Sequence, residues 1–163
     1  MILTTHAITG AAIGSLMPGH PGAAFVLGFA SHFALDAIPH WDYPIGSASI
    51  HPKKGGVLRL DRALRRDLRN IGLDFALGIG VSLFFFHQPA ALLAIFAGLI
   101  GGVLPDFLQF VYTRFPKSPI RHLQKFHEHI HSPRRLRDEG KTAIGIVAQA
   151  VIIVAIIALA KMF

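Results

Sequence analysis

The last part of the chain is an apolar run in which no charged side chain lies between Lys141 and Lys161. Earlier in the chain, two further apolar runs, Ile71 to His87 and Pro89 to Val111, follow one another directly. About 20 apolar residues are enough to cross the hydrocarbon core of a bilayer. The composition, with 52% hydrophobic and 15% charged residues, also differs from that of a soluble domain. We therefore predict an integral membrane protein.

Apolar runs separated by proline and glycine predict an all-α, polytopic membrane bundle of about five helices in a single domain, residues 1–163. The predicted helices are Thr4–Leu16, Ala23–Ile38, Ile71–Phe86, Ala90–Val111 and Thr142–Ala160. They form a hairpin (4–38), a basic interfacial segment (53–69), a second hairpin (71–111), a His-rich loop (114–141) and a C-terminal helix (142–160). The first helix is short for a full span, so we expect it to be tilted, re-entrant or shielded by the other helices.

The two predicted hairpins have similar spacings. His6 precedes Pro21 by 15 residues, and Asp74 precedes Pro89 by the same number. In each hairpin the returning helix ends near a carboxylate. The pattern predicts two related hairpins, a common way to build a site at an interface between repeats, although chance similarity is an equal alternative.

Basic residues are concentrated in two blocks, Lys53 to Arg69 and Arg114 to Lys141, beside the predicted spans. By the positive-inside rule, both blocks face the cytoplasm, which also places the N-terminus there. We predict a bacterial inner-membrane protein that contacts membrane lipids, including anionic ones, through the first block. Membrane orientation explains the net charge of +7, so we expect no specific nucleic-acid binding. The sequence predicts no oligomeric state.

The chain contains no cysteine, so a transition metal would have to be held by His, Asp or Glu. No basic region precedes the first apolar run, so we expect no cleavable signal peptide and a mature chain that begins at Met1.

The strongest local pattern is His32, Asp36 and His40, each four residues from the next. Side chains four apart lie on one helix face, so His32 and Asp36 can reach the same ion, and His40 continues the line after Pro39. Ionisable residues at the membrane are costly and usually functional. The alternative is that these are solvated residues at a helix end.

Further candidate ligands lie at the same predicted side of the membrane. Asp106 follows Pro105 inside an apolar run, so it needs a partner from another helix. His127 and His131 are four residues apart, although a solvated His-rich loop is the alternative. We predict six metal ligands in all: His6, His32, Asp36, Asp106, His127 and His131. His40 and Asp42 are predicted to act in catalysis, as ligands or as supporting groups. For Asp74, a role as a ligand or as a partner of a ligating histidine is no better than even, and the alternative is an ion pair with the basic block that ends at Arg69.

These residues resemble the marks of the bacterial membrane-bound metal-dependent hydrolase family. The marks are an early His (His6), Leu104-Pro105-Asp106, His127-x-x-x-His131-Ser132 and Ser31-His32-x-x-x-Asp36. The His-x-x-x-Asp element is also similar, more remotely, to that of zinc-dependent phospholipases C. The resemblance implies a zinc hydrolase acting on a phosphoester or a lipid-like ester through metal-activated water.

Two other functions fit the same residues. A non-enzymatic membrane protein could bind metal for structure, sensing or transport. A lipid-binding scaffold could use the basic segment alone and would tolerate loss of His32 and Asp36. The outer halves of the last three predicted helices are nearly uniformly apolar, which argues against transport, since transport needs polar residues across the bilayer.

Overall fold

In the computed structural model, the described residues are 1–51, 55–116, 119–132, 136 and 141–163, and they confirm an all-helical fold. A two-stranded antiparallel ribbon, in which Ala48 pairs with Leu58, is the one addition to the helices in this part of the chain. Its strands are β1 (Ala48–His51) and β2 (Gly55–Leu58). The helices are α1 (Leu3–Ser15), α2 (Pro21–Asp36), α3 (Arg62–Phe86), α4 (Leu92–Arg114), α5 (Ile120–Ile130) and α6 (Thr142–Ala160), with a 3-10 turn at Pro89–Ala91.

Two segments differ from the prediction. The described part of the basic interfacial segment, residues 55–69, is divided between β2, a short connection and the first turns of α3. Helix α3 begins at Arg62 because Asp61 caps it by accepting hydrogen bonds from the backbone N–H groups of Ala63 and Leu64. The predicted His-rich loop contains α5, because its less exposed residues recur at helical spacing. Several basic residues of the two blocks, Lys53, Arg134, Arg135 and Arg137, lie outside the described residues.

Within the described part of the chain, three helices are long and apolar enough to cross a membrane: Arg62–Phe86, Pro89–Thr113 and Thr142–Ala160. Large apolar side chains on their outer surfaces, such as Leu73, Leu93 and Val151, are exposed in the isolated chain. An apolar exterior of this kind is suited to lipid, which supports association with a membrane.

The short helix α1 lies in the centre of the bundle, packed against α2, α3, α4 and α6. Most of its residues are buried, and they form the core with residues of α3 and α4 and the turn between them: Ala7, Ile8, Ala11, Ala12, Phe86, Ala91, Ile95 and Leu99. The other helices therefore shield α1, as one of the sequence alternatives predicted.

Small residues allow the helices to approach closely around α1. A Cβ atom on Gly10 would collide with the backbone carbonyl of Gly98, and one on Gly28 would collide with the same group. Gly102 lies against the carbonyl of His6. Because α1 and α2 both pack on α4 at these glycines, the polar ends of the three helices are brought together.

Asp74 of α3 accepts hydrogen bonds from the free backbone N–H groups in the first turn of α1. It accepts hydrogen bonds from the backbone N–H groups of Leu3 (2.7 Å) and Thr4 (3.2 Å) and from the Thr4 hydroxyl (2.6 Å). The first N–H groups of a helix have no partner within the helix, so a carboxylate at this place is stabilising. Asp74 and His6 occupy corresponding places in the two predicted hairpins, but Asp74 caps α1 whereas His6 faces Asp36.

Asp74→Ala should destabilise the fold by about 1–3 kcal/mol, because it leaves two partly buried N–H groups without an acceptor. The thermal unfolding midpoint in detergent measures this loss. Asp74→Asn retains an acceptor oxygen and should lose less. Equal losses in the two variants would contradict the capping role.

Candidate metal centre

Asp36, on the last turn of α2, is the centre of a buried cluster of imidazoles and carboxylates. Its side chain is 1% exposed, and five histidine Nε2 atoms lie within 4 Å of its oxygens. The distances are 3.2 Å for His6, 3.2 Å for His32, 3.9 Å for His40, 2.9 Å for His127 and 3.8 Å for His131. Asp106 joins through a contact of 3.7 Å between its Oδ1 and His32 Nε2. The structure thus brings together all six residues that the sequence predicted as ligands.

The described residues contain two groups whose ligand atoms are close enough to hold a metal ion. One consists of His32, Asp36, Asp106 and His127; the other consists of Asp36, His40 and His131. Within each group the ligand atoms lie within 4.8 Å of one another. A divalent ion can therefore be held by these side chains, with Asp36 available to both groups.

Two histidines are oriented by backbone carbonyls. His32 Nδ1 lies 2.8 Å from the carbonyl oxygen of Gly102, and His40 Nδ1 lies 2.6 Å from that of Ile38. A carbonyl can only accept, so each Nδ1 carries the hydrogen and donates it. In a neutral imidazole, Nε2 then carries a lone pair. That lone pair faces the carboxylate of Asp36 in His32 and the carboxylate of Asp42 in His40. Two acceptors in contact require a cation between them. The ammonium group of Met1, 2.9 Å from His40 Nε2, supplies it at His40, whereas His32 requires a proton or a metal ion.

His131 has a weaker version of the same arrangement, with Nδ1 3.2 Å from the carbonyl oxygen of Ser132. Burial lowers the pKa of His131 below its ordinary value, despite the opposing effect of Asp36. The neutral imidazole is the form that binds metal. Histidines that ligate metals commonly donate their second N–H to a carbonyl in this way.

His6 is fully buried, and among the described residues neither of its ring nitrogens has a hydrogen-bond partner. Its ring stacks on that of His32 at 3.9 Å between centroids, and its Nε2 faces Asp36. A buried polar atom without a partner costs free energy, roughly 1–3 kcal/mol. An ion beside Asp36 would give Nε2 a partner, so this nitrogen fits a metal ligand.

His40 and Asp42 form a pair at the edge of the cluster. His40 Nε2 lies 3.2 Å from Asp42 Oδ2, and the amino group of Met1 lies 3.2 Å from Asp42 Oδ1. Burial alone would raise the pKa of Asp42, but the interactions with His40 and Met1 outweigh it and hold the pKa below its usual range. Asp42 is therefore an anionic carboxylate that favours a cation in its vicinity.

The polypeptide after α5 is tied to the end of α2. The N–H of Ser132 donates to the carbonyl of Asp36 at 2.8 Å, and the N–H of Leu136 donates to that of His40 at 3.0 Å. These bonds place His127 and His131 beside Asp36, although both histidines are far from Asp36 in the sequence. The cluster is partly open at this edge, where Asp106 is 28% and His131 15% exposed.

Sequence reasoning missed Gln149 of α6. Its Nε2 donates to the carbonyl of Trp41 at 2.8 Å, and its Oε1 accepts from the N–H of Ile2 at 3.2 Å. Gln149 thus joins the segment that carries His40 to the helix that carries His6. The available signal was an amide in the middle of an otherwise apolar run, where an unpaired polar group is costly.

Gln149→Leu should weaken metal binding about tenfold, the lower end of the effect of residues that orient ligands. Leucine is compatible with an apolar helix, but it leaves the Trp41 carbonyl and the Ile2 N–H without this partner. Competition with a chelator measures the affinity. Val147→Leu, on the exposed face of the same helix, should change nothing. A lower unfolding midpoint with unchanged affinity would show that Gln149 serves packing alone.

No protein-family model, curated protein or solved structure matches this chain.

Proposed function

We propose that the chain is a membrane-embedded, zinc-dependent hydrolase that cleaves a phosphoester or another ester of a lipid-like substrate. The observation that carries the proposal is the orientation of His32 and His40, whose Nδ1 hydrogens are donated to backbone carbonyls while Nε2 faces Asp36 or Asp42. The resemblance of the His6, Asp36, Asp106 and His131 motifs to the membrane-bound metal-dependent hydrolases supports the same function.

The donor separations support zinc. Two ligands at 2.0–2.1 Å from a tetrahedral ion are about 3.3 Å apart. In the first group, the separations are 2.9 Å between His127 and Asp36, 3.2 Å between His32 and Asp36, and 3.3 Å between the Nε2 atoms of His32 and His127. Nitrogen and oxygen donors without thiolate are typical of catalytic zinc sites.

Zinc, when bound, lowers the pKa of a coordinated water and stabilises the negative charge that develops during ester hydrolysis. Asp42 is 17% exposed and pairs with the buried His40, whose imidazole can accept a proton from an attacking water. Asp36 and the Gly102 carbonyl hold His32 in one orientation. The closed side of the cluster, around His6, excludes water from the ligands.

Apolar side chains beside the opening support a lipid-like substrate. Phe107 follows Asp106 and is 60% exposed, and Phe126 of α5 is 49% exposed. The basic side chains at the start of α3, including Arg62 and Arg65, are exposed and can attract an anionic head group. We also infer, from the positive-inside rule, that the metal centre faces the cytoplasm of a bacterial cell.

The test is elemental analysis of protein purified in detergent through a C-terminal tag that contains no histidine. Zinc should be present, should be lost from a His32→Ala/Asp36→Ala double variant, and should persist in His20→Ala/His87→Ala, which removes two exposed histidines outside the cluster. Hydrolysis of chromogenic phosphoesters and of phospholipid vesicles should follow the zinc content.

Each failure has its own meaning. Folded protein without metal, after growth with zinc, would overturn the metalloenzyme and favour imidazolium–carboxylate pairs in a scaffold. Zinc without hydrolysis of any ester would overturn the enzyme and favour a structural or sensing site, which the burial of His6, His32 and His127 would suit.

A further inference from the structure

The α-amino group of Met1 lies inside the buried cluster, where it contacts three acceptors. It donates to Asp36 Oδ1, and it lies 2.9 Å from His40 Nε2 and 3.2 Å from Asp42 Oδ1. The group has no exposed surface. An ammonium nitrogen has three N–H donors and no acceptor, so the three contacts use all of its hydrogens. The N-terminal ammonium is therefore a fully paired member of the cluster.

The residues next to Met1 hold the ammonium in this place. The N–H of Ile2 donates to Gln149 at 3.2 Å, and the N–H of Leu3 donates to Asp74 at 2.7 Å. The side chain of Met1 is itself buried, with 6% of the residue exposed. The ammonium can therefore leave the cluster only if the start of α1 loses its contacts with α6 and α3.

Charge gives the ammonium a function. As carboxylates, Asp36, Asp42 and Asp106 bring three negative charges into a place that is partly or fully buried. The Met1 ammonium and one divalent ion balance these charges completely. Without the ammonium, the same ion would leave one negative charge uncompensated, and a buried charge is stabilised only when it is compensated. The N-terminus thus supplies the positive charge on the side of Asp36 that faces His40 and Asp42.

An acyl group on the Met1 nitrogen would remove this charge. An amide nitrogen is neutral and has one N–H donor in place of three. The Asp42 carboxylate and His40 Nε2 would then lose the cation that they share. The added carbonyl would also need room beside a nitrogen that has no exposed surface. A formyl group, an acetyl group or a residue joined ahead of Met1 would each have this effect, so the cluster is sensitive to the chemical state of the N-terminus.

We propose that the α-ammonium of Met1 is a fixed cation that positions Asp36, His40 and Asp42, and that the centre assembles only when this amino group is free. Bacterial protein synthesis begins with N-formylmethionine, so a hydrolytic deformylation must come first. Water adds to the formyl carbonyl, the C–N bond breaks, formate leaves, and both protons of the water end on the nitrogen. The proposal rests on the proposed function for its effect on metal binding, whereas the ammonium itself is tested without metal.

Nuclear magnetic resonance can observe the ammonium directly. In protein labelled with ¹⁵N-methionine, Met17 and Met162 contribute backbone amides, so Met1 is the one methionine whose nitrogen can carry three protons. An exposed ammonium exchanges its protons with water too fast to be observed, whereas a buried one exchanges slowly. We expect metal-free protein in detergent to give the signal of a nitrogen bound to three protons.

Two modified chains test whether the free amino group is needed. One retains the formyl group because it is produced with an inhibitor of deformylation, and the other carries glycine and serine ahead of Met1; mass spectrometry verifies both. Each should unfold about 10 °C lower than wild type in the metal-free state and bind about a tenth of the wild-type zinc or less. The matched control adds the same two residues after Phe163, which is 94% exposed, and should behave as wild type.

The outcomes separate this proposal from the hydrolase. Absence of the three-proton signal in folded wild-type protein, or wild-type unfolding and zinc content in the formylated chain, would overturn the fixed cation. Residues ahead of Met1 in the native protein would also overturn it, as would a signal that changes to two protons when zinc binds. The three-proton signal in a chain that binds no zinc or cleaves no ester would support the ammonium and overturn the proposed function. If a modified chain fails to fold, the wild-type signal still decides the question.

Discussion

Asp36→Asn should reduce the bound metal to less than a tenth of the wild-type content and abolish metal-dependent hydrolysis. The side chain contacts five imidazoles, so its charge affects every ligand in the cluster. The amide has nearly the same size as the carboxylate, but it is neutral and has one acceptor oxygen instead of two. Elemental analysis and activity against the same phosphoester measure the effect.

Asp61→Asn is the matched control. It removes the same charge at the exposed N-cap of α3, where asparagine is an equally good capping residue. Metal content and activity should remain at wild-type levels in this variant. Full metal occupancy in folded Asp36→Asn protein would show that Asp36 is not a ligand.

Gly98→Ala should destabilise the bundle by about 3 kcal/mol, the upper part of the range for overpacking. A Cβ atom at this position would lie 2.1 Å from the backbone carbonyl oxygen of Gly10, and backbone of this kind cannot move aside without displacing a helix. The change acts on the contact between α1 and α4 and, through it, on the distance between His6 and Asp106. Thermal unfolding in detergent and metal content should both decrease.

Gly80→Ala provides the comparison, because no described atom lies within 4 Å of the corresponding Cβ position. Replacing a glycine inside a helix by alanine is then expected to stabilise the chain by about 0.5–1 kcal/mol. The two identical substitutions should therefore shift the unfolding midpoint in opposite directions. A similar shift for both would contradict close packing at Gly98.

The residues of the buried cluster could be predicted because their signals are local. His32 and Asp36 are four residues apart on one helix, and Asp106 is a carboxylate in an apolar run, so each position alone indicates an unusual environment. The hydrogen bonds by which Ser132 and Leu136 join the end of α2 could not be predicted, since they connect backbone groups that carry no residue-specific signal.

The role of Asp74 also could not be predicted from its sequence position. Its place in the second predicted hairpin corresponds to that of His6 in the first, and this position is compatible with metal binding. In the folded chain it lies beside the first turn of α1, where unpaired N–H groups attract a carboxylate. Only the packing of α1 on α3 decides between these roles. Similarly, the sequence of α5 is polar enough to resemble a loop. The segment is a helix because it packs against α2 and α4, and these contacts are not visible in the sequence.

The enclosed position of α1 has a consequence for membrane insertion. With 13 residues, the helix is about 20 Å long, shorter than the hydrocarbon core. Its buried Thr4, Thr5 and Thr9 also make it a poor substrate for insertion machinery that selects long apolar segments. We therefore expect α1 to enter the bilayer only after α2 and α4 are available as partners. Variants that delay the insertion of α4 should leave the N-terminal segment outside the membrane. Protease accessibility of that segment would detect the defect.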